Sequence, residues 1–225
     1  MRFLLIDTCG SEGSVALAET TRDEVVVASD MLPGRSASER LVPAVRAMMK
    51  AAGWRVAELT AVVVVYGPGS FTGVRVGVSA AKGLSEAGEV PVIAVSRLGL
   101  LAAAAVDVAG EVCAVLDAGR GEFYCGVYAG KRCLREALLT DEEVGAAAQG
   151  VSAVVVCEVR VAEALAEFEP RLVREPVAVD ALPFAVERAA AGEFEDVATL
   201  DANYLRRTDV EIFAKLASKT ASSKQ

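Results

Sequence analysis

The chain repeats itself. Phe3-Leu4-Leu5-Ile6-Asp7 returns 110 positions later as Cys113-Ala114-Val115-Leu116-Asp117, and Ser14-Val15-Ala16-Leu17-Ala18 returns at the same offset as Tyr124-Cys125-Gly126-Val127-Tyr128. In each half an apolar strand ends on aspartate, a tight turn follows, and a second strand comes back. One such hairpin is a modest signal. Its recurrence with the same downstream order limits the topology sharply, because a duplicated unit must build two similar layers.

The downstream order reads as β, α, β, α in both halves. In the first, Glu24–Ala28 is a third strand, Ser38–Ala52 a helix closed by Gly53, Ala61–Tyr66 a strand and about Phe71–Ala87 a helix. Four consecutive valines, Val62 to Val65, suit a strand covered on both faces. Val90–Val95 follows, and Ser96 reads as the N-cap of a helix over Arg97–Val106. The second half repeats the series with strands Glu111–Asp117, Glu122–Tyr128 and Arg132–Leu138. It continues with a helix near Asp141–Ala148, the strand Ala153–Cys157 and a helix near Val161–Phe168. A strand Leu172–Arg174, a helix near Pro183–Ala190 and a terminal helix over Leu205–Ala217 complete it. A doubled β-β-β-α-β-α unit is the plan of the two-lobed actin-like (RNase H-like) α/β fold. The expected division is an N-terminal lobe over 1–107, a C-terminal lobe over 108–217 and a disordered polar tail over 218–225.

Composition narrows the chemistry. The chain has no histidine, which removes Ser-His-Asp triads, Cys-His pairs and histidine metal sites. Its five cysteines form no C-x-x-C pair, and the odd count argues against a disulfide framework. A formal charge of −8 without a basic run argues against independent nucleic-acid binding. No apolar run is long enough for a membrane span, and the opening segment reads as a buried strand rather than a signal peptide. A cytoplasmic location is the expectation.

Asp7 and Asp117 are the candidate binding pair. Paired hairpins of this kind clasp nucleotide phosphates and magnesium in actin-like phosphotransferases, and carboxylates suit that hard ion. The plainer reading is that each aspartate orders its own turn. A two-metal nuclease would need further carboxylates, and the fourth strand of the first half ends in Tyr66-Gly67 without one.

The run Gly67-Pro68-Gly69-Ser70-Phe71-Thr72-Gly73-Val74-Arg75-Val76-Gly77 joins a strand to a helix. It lacks the G-K-[ST] of a P-loop, and Thr72 stands where a dinucleotide fingerprint needs its third glycine. Ser70 reads as an N-cap. Gly73, Gly77 and Ala81 recur every four residues as a smooth stripe, suited to close approach of another backbone, internal or from a partner. The helix before it carries Leu41, Val45, Met48 and Met49 among several alanines, more apolar surface than one buried face requires. These seven residues are the candidate partner interface, with burial under the second lobe as the plainer reading of the helix.

The central run resembles the signature of the bacterial TsaB (YeaZ) family, accessory proteins in making N6-threonylcarbamoyladenosine in tRNA. Leu5-Ile6-Asp7-Thr8, Ser38-Glu39-Arg40-Leu41-Val42-Pro43, Leu116-Asp117-Ala118-Gly119-Arg120-Gly121-Glu122-Phe123-Tyr124 and Tyr204-Leu205-Arg206 resemble further family motifs, so the likeness covers nearly the whole chain. Ala37, Gly119 and Ala202 depart from the family pattern of His, Arg and Pro at those places. The resemblance implies a degenerate, non-catalytic paralogue. It would scaffold and activate a TsaD-type catalytic subunit for transfer to adenosine 37 of tRNAs reading codons that begin with A. It implies contact through the first two helices with that subunit, or with a second copy when the partner is absent. A TsaE-type ATPase would join, tRNA would be met only through the complex, and no membrane would be involved. No cofactor would be tightly bound, with room for ATP or ADP and Mg at the cleft or the partner interface. The alternative is a stand-alone actin-like ATPase or small-molecule kinase using Asp7 and Asp117.

Overall fold

The computed structural model describes residues 1–21 and 24–205. β1 (Arg2–Asp7), β2 (Gly13–Thr20) and β3 (Glu24–Leu32) form an antiparallel meander. α1 (Ala37–Ala52), β4 (Ala61–Val65), α2 (Phe71–Gly88), β5 (Val92–Val95) and α3 (Arg97–Ala103) follow. The series restarts with β6 (Glu111–Gly119), β7 (Glu122–Ala129), β8 (Arg132–Thr140), α4 (Asp141–Ala148), β9 (Ala153–Val156), α5 (Val159–Ala164) and β10 (Arg171–Leu172). It closes with α6 (Leu182–Ala191). The two sheets have the same order, β3-β2-β1-β4-β5 and β8-β7-β6-β9-β10. In each, three antiparallel strands are extended by two parallel ones. This is the duplicated actin-like, RNase H-like fold.

Local signals explain most boundaries. Gly53 sits at φ +68° and ends α1, the left-handed conformation that glycine adopts without penalty. Ser70 caps α2, its Oγ accepting the N–H of Gly73 at 3.3 Å. All five residues of β4 are buried, as the valine run requires. Three expectations need correction. The helix after Ser96 ends at Ala103 rather than Val106, and Ser96 does not cap it, because its hydroxyl donates to Glu136 instead. The last strand of the second sheet is Arg171–Leu172. Beyond Leu205, the expected terminal helix and the tail 218–225 lie outside the described residues.

The halves exchange cover. From α3, the last helix of the first half, Leu98, Leu101 and Ala102 pack with Val112, Ala114, Leu116 and Tyr128 of the second sheet. In return, Ala178, Ala181, Leu182, Phe184, Ala185, Leu200 and Ala202 join the core of the first sheet. The return is pinned by backbone bonds from Asn203 N–H to Tyr66 O at 2.8 Å and from Glu195 N–H to Val92 O at 2.9 Å. The segment 178–202, placed in the second lobe by sequence order, therefore lends its buried residues to the core of the first.

The glycine stripe faces inward, which overturns its assignment to a partner interface. A Cβ at Gly73 would lie 1.9 Å from the carbonyl oxygen of Thr8, and one at Gly77 would lie 2.5 Å from Thr8 Oγ1. Ala81 is fully buried. The close neighbour is the chain's own first turn. Leu41, Val45 and Met49 on α1 are likewise buried in the core, with exposures of 1, 5 and 6%, and Met48 packs half-buried beside them. The four-residue spacing was right, but the face it marks is the one against the sheet.

A pair of substitutions separates packing from helix propensity. Gly73→Ala forces a backbone atom aside and should destabilise by about 2 kcal/mol or more, on the scale of overpacked cores. Gly83→Ala, where an added Cβ meets nothing within 4 Å, should stabilise by roughly 0.5–1 kcal/mol. Urea denaturation of the two variants against the parent checks both signs.

Candidate functional site

The first hairpin places Asp7 at the end of β1, 2% exposed, with Oδ1 accepting the N–H of Cys9 at 2.8 Å. At the same offset of 110, Asp117 Oδ1 accepts the N–H of Gly119 at 2.8 Å. Each aspartate thus orders its own turn, in the same geometry. Gly119 sits at φ +75°, the left-handed conformation that glycine adopts without penalty. The two sites then diverge. Asp117 pairs with the exposed guanidinium of Arg160, and its N–H donates to Glu158 Oε2 at 2.8 Å. Asp7 lies in the interior beside the charge of Arg97. Burial pushes its carboxyl above the usual carboxylate range, while Arg97 and the Cys9 N–H pull it back. The two aspartates share no hydrogen-bond or ion-pair partner among the described residues.

Arg97 opens α3 and is only 6% exposed. Its Nη2 pairs with Glu175, and its backbone N–H donates to Gly67 O at 2.8 Å. Glu175 Oε1 accepts the Ser11 N–H at 2.9 Å, and Oε2 accepts the Ser11 hydroxyl at 2.7 Å. Burial raises the Glu175 carboxyl, but these bonds and the charge of Arg97 leave it below its ordinary value. The first hairpin, the start of α3 and the strand-to-α6 connection thus meet on one carboxylate. Sequence reading passed over both residues. The available signal was an arginine opening a helix otherwise made of apolar residues and glycine, Leu98 to Ala103.

The signature loop is bound to the same hairpin. Ser70 N–H donates to Cys9 O at 2.8 Å, and Thr8 Oγ1 donates to Gly73 O at 2.6 Å. A Cβ at Gly69 would come within 2.3 Å of Cys9 O. The Cys9 thiol donates to Val65 O at 3.0 Å, and burial raises its pKa well above the usual value. Among the described residues no three His, Cys, Asp or Glu side chains are grouped to hold a metal.

At the outer end of the loop lies a solvent-facing cluster. The Arg75 guanidinium stands 3.8 Å from the centre of the Phe71 ring, and its Nε donates to Tyr204 Oη at 2.6 Å. Phe71 and Tyr204 remain 58 and 42% exposed. The central signature therefore meets the Tyr204-Leu205 part of the C-terminal motif, whose Arg206 lies outside the described residues. Ala37 and Ala202, the other departures from the family pattern, are buried small residues, each 8% exposed. Val42 on α1 is 62% exposed, and Ala44, Met48, Val76 and Ala80 are half-buried along α1 and α2. Among the described residues no helix is long and apolar enough to cross a membrane.

Comparison with known proteins places the chain. A family model described as TsaD, tRNA N6-adenosine threonylcarbamoyltransferase, matches residues 31–217. The tRNA threonylcarbamoyladenosine biosynthesis protein TsaB of Bacillus subtilis is 35% identical over 144 residues, 64% of this chain and 62% of that protein. The TsaB of Escherichia coli is 38% identical over 130 residues, 57% of this chain and 55% of that protein. The chain thus spans a little over half the length of these curated relatives. Among solved structures, a Pseudomonas aeruginosa protein described as similar to peptidase YEAZ superposes with a TM-score of 0.75 at 30% identity, covering 91% of this chain and 99% of that one. YeaZ from Pseudomonas aeruginosa gives a TM-score of 0.72 at 28% identity over 91 and 99% of the two chains. The chain belongs to the TsaB (YeaZ) family.

Proposed function

We propose that this chain is a non-catalytic subunit in tRNA threonylcarbamoyladenosine biosynthesis. In this reading it holds and activates a TsaD-type catalytic subunit for transfer to adenosine 37 of tRNAs reading codons that begin with A. A TsaE-type ATPase joins the assembly, tRNA is met only through it, and a second copy of the chain takes the partner's place when the partner is absent. The names of the relatives support the pathway. The observation that carries the subunit reading is where the chemistry-bearing groups point. Asp7, Asp117 and the signature loop are bonded within their own turns and neighbouring elements, while apolar surface is left outside on α1 and α2. Any ATP or ADP with Mg would belong at the partner interface or the cleft, and the site of action would be the cytoplasm.

The contact face follows from the corrected packing. Exposed Val42, with half-buried Ala44 and Met48 on the other flank of α1 and Ala80 on α2, replaces the buried stripe as the surface offered to a partner. An exposed valine can be changed without disturbing the core, whereas a charge in a buried apolar contact is strongly unfavourable. Val42→Arg should leave circular dichroism and melting unchanged and weaken association with the catalytic subunit about 100-fold, or about 2.7 kcal/mol. Gly77→Arg should fail to fold. In a reconstituted assay the chain alone should give no threonylcarbamoyl transfer, and transfer by the catalytic subunit should rise on its addition. Transfer by the chain alone would reject the reading.

Asp7 supplies a second test. Its raised pKa means that its contribution to stability is fully present below the unfolded value of 3.8 and is lost as pH rises through the folded value. Asn can accept the same Cys9 N–H without a charge. The parent's stability advantage over Asp7→Asn should therefore shrink as pH increases from about 4 to 7 in urea titrations. Transfer by the reconstituted assembly should fall by less than about tenfold, equivalent to about 1.4 kcal/mol of barrier. A loss of several orders of magnitude with folding intact would favour an ion-binding kinase-like role.

A further inference from the structure

We propose that Ser11 and Arg97 form a site for a tetrahedral oxyanion of the phosphate type, which the chain's own Glu175 carboxylate fills and from which such an anion can displace it. Three donors from two separate elements converge on that carboxylate: the Ser11 N–H, the Ser11 hydroxyl and Arg97 Nη2. A backbone N–H, a hydroxyl and a guanidinium together make a general cradle for charged oxygens. Gly10 permits this convergence, since a Cβ there would come within 2.5 Å of Glu175 Oε1 and 2.9 Å of Arg97 Nη2.

The cradle is not fully satisfied by its occupant. Arg97 is 6% exposed, yet its Nε is buried without a hydrogen-bond partner. Nε and Nη2 lie on the same edge of the guanidinium, so the unused donor faces the same general direction as the one bonded to Glu175. A carboxylate has two oxygens, and both are engaged, Oε1 by the Ser11 N–H and Arg97 and Oε2 by the Ser11 hydroxyl. A tetrahedral anion brings further oxygens that can accept from Nε. Buried unpaired donors are unfavourable by about 1–3 kcal/mol in general, which favours the anion that meets this one.

Glu175 is suited to leave. Its side chain is 38% exposed, whereas that of Arg97 is 8% exposed. It stands in the connection between β10 and α6, outside any helix or strand. Asp7, whose charge also acts on the guanidinium, keeps its carboxylate on the Cys9 N–H. The incoming anion therefore replaces the negative charge of Glu175 instead of adding one.

The test is a titration of the 15N-labelled chain with inorganic phosphate, phenyl phosphate and acetate at matched ionic strength, followed at the Ser11 amide. In the parent, phosphate should give a saturable shift of that amide, and acetate a weaker one. Glu175→Ala should bind phosphate at least tenfold more tightly than the parent, and adding Ser11→Ala should remove most of that gain. The tighter of inorganic and phenyl phosphate tells whether a free anion or a phosphate monoester is the better fit. If Glu175→Ala does not fold, Glu175→Gln, which keeps the shape without the charge, should still bind phosphate more tightly than the parent. No saturable shift of Ser11 in the parent, a folded variant no tighter than the parent, or acetate binding better than phosphate would each overturn the proposal.

Discussion

The backbone of α2 rests on the carbonyl of Thr8, and much of the first half depends on that contact. It is possible because Gly73 presents no side chain where a Cβ would come within 1.9 Å of the oxygen. The approach lets Thr8 Oγ1 donate to Gly73 O at 2.6 Å and Ser70 N–H donate to Cys9 O at 2.8 Å. The turn after β1 is thereby fixed against the start of α2. Asp7, buried beneath it, has its carboxylate committed to the Cys9 N–H. A glycine-rich loop before a helix often cradles phosphate. Here its donors Ser70 N–H and Gly73 N–H are taken by the protein itself, at Cys9 O and Ser70 Oγ.

The two halves are also held by exchange of cover. α3 closes the second core, and the segment 178–202 closes the first. Arg97 and Glu175 lie where these crossings meet, so a single ion pair joins the first hairpin, the start of α3 and the returning chain. A buried guanidinium without such a partner would be strongly destabilising. The arrangement accounts for two charged residues at a junction otherwise made of apolar packing.

Much of this was legible in the sequence. The 110-residue offset carried the duplicated fold, and both aspartates fell at equivalent turn positions with equivalent hydrogen bonds. The four-residue spacing of Gly73, Gly77 and Ala81 announced a close backbone approach. Its direction was not readable, because periodicity marks a face of a helix without saying what lies against it. Leu41, Val45 and Met49 were misassigned for the same reason: a core stripe and an interface stripe look alike in one dimension. The return of residues 178–202 to the first sheet and the meeting of Ser11 with Glu175 are contacts at sequence separations that no local pattern encodes. Val42 was hidden by its neighbours, being one apolar residue among many on α1.

The central claim is that the chain works through the outer face of α1 and α2 and not through a catalytic cleft between its aspartates. Hydrogen–deuterium exchange on the chain, alone and with a TsaD-type catalytic subunit, tests it most directly, because amide protection reports which backbone segments are held closed on binding. The account predicts slower exchange along α1 and α2 when the partner is added, with the already bonded turns at Thr8–Ser11 and Asp117–Gly119 unchanged. Slower exchange confined to those two turns, with α1 and α2 unaffected, would contradict it.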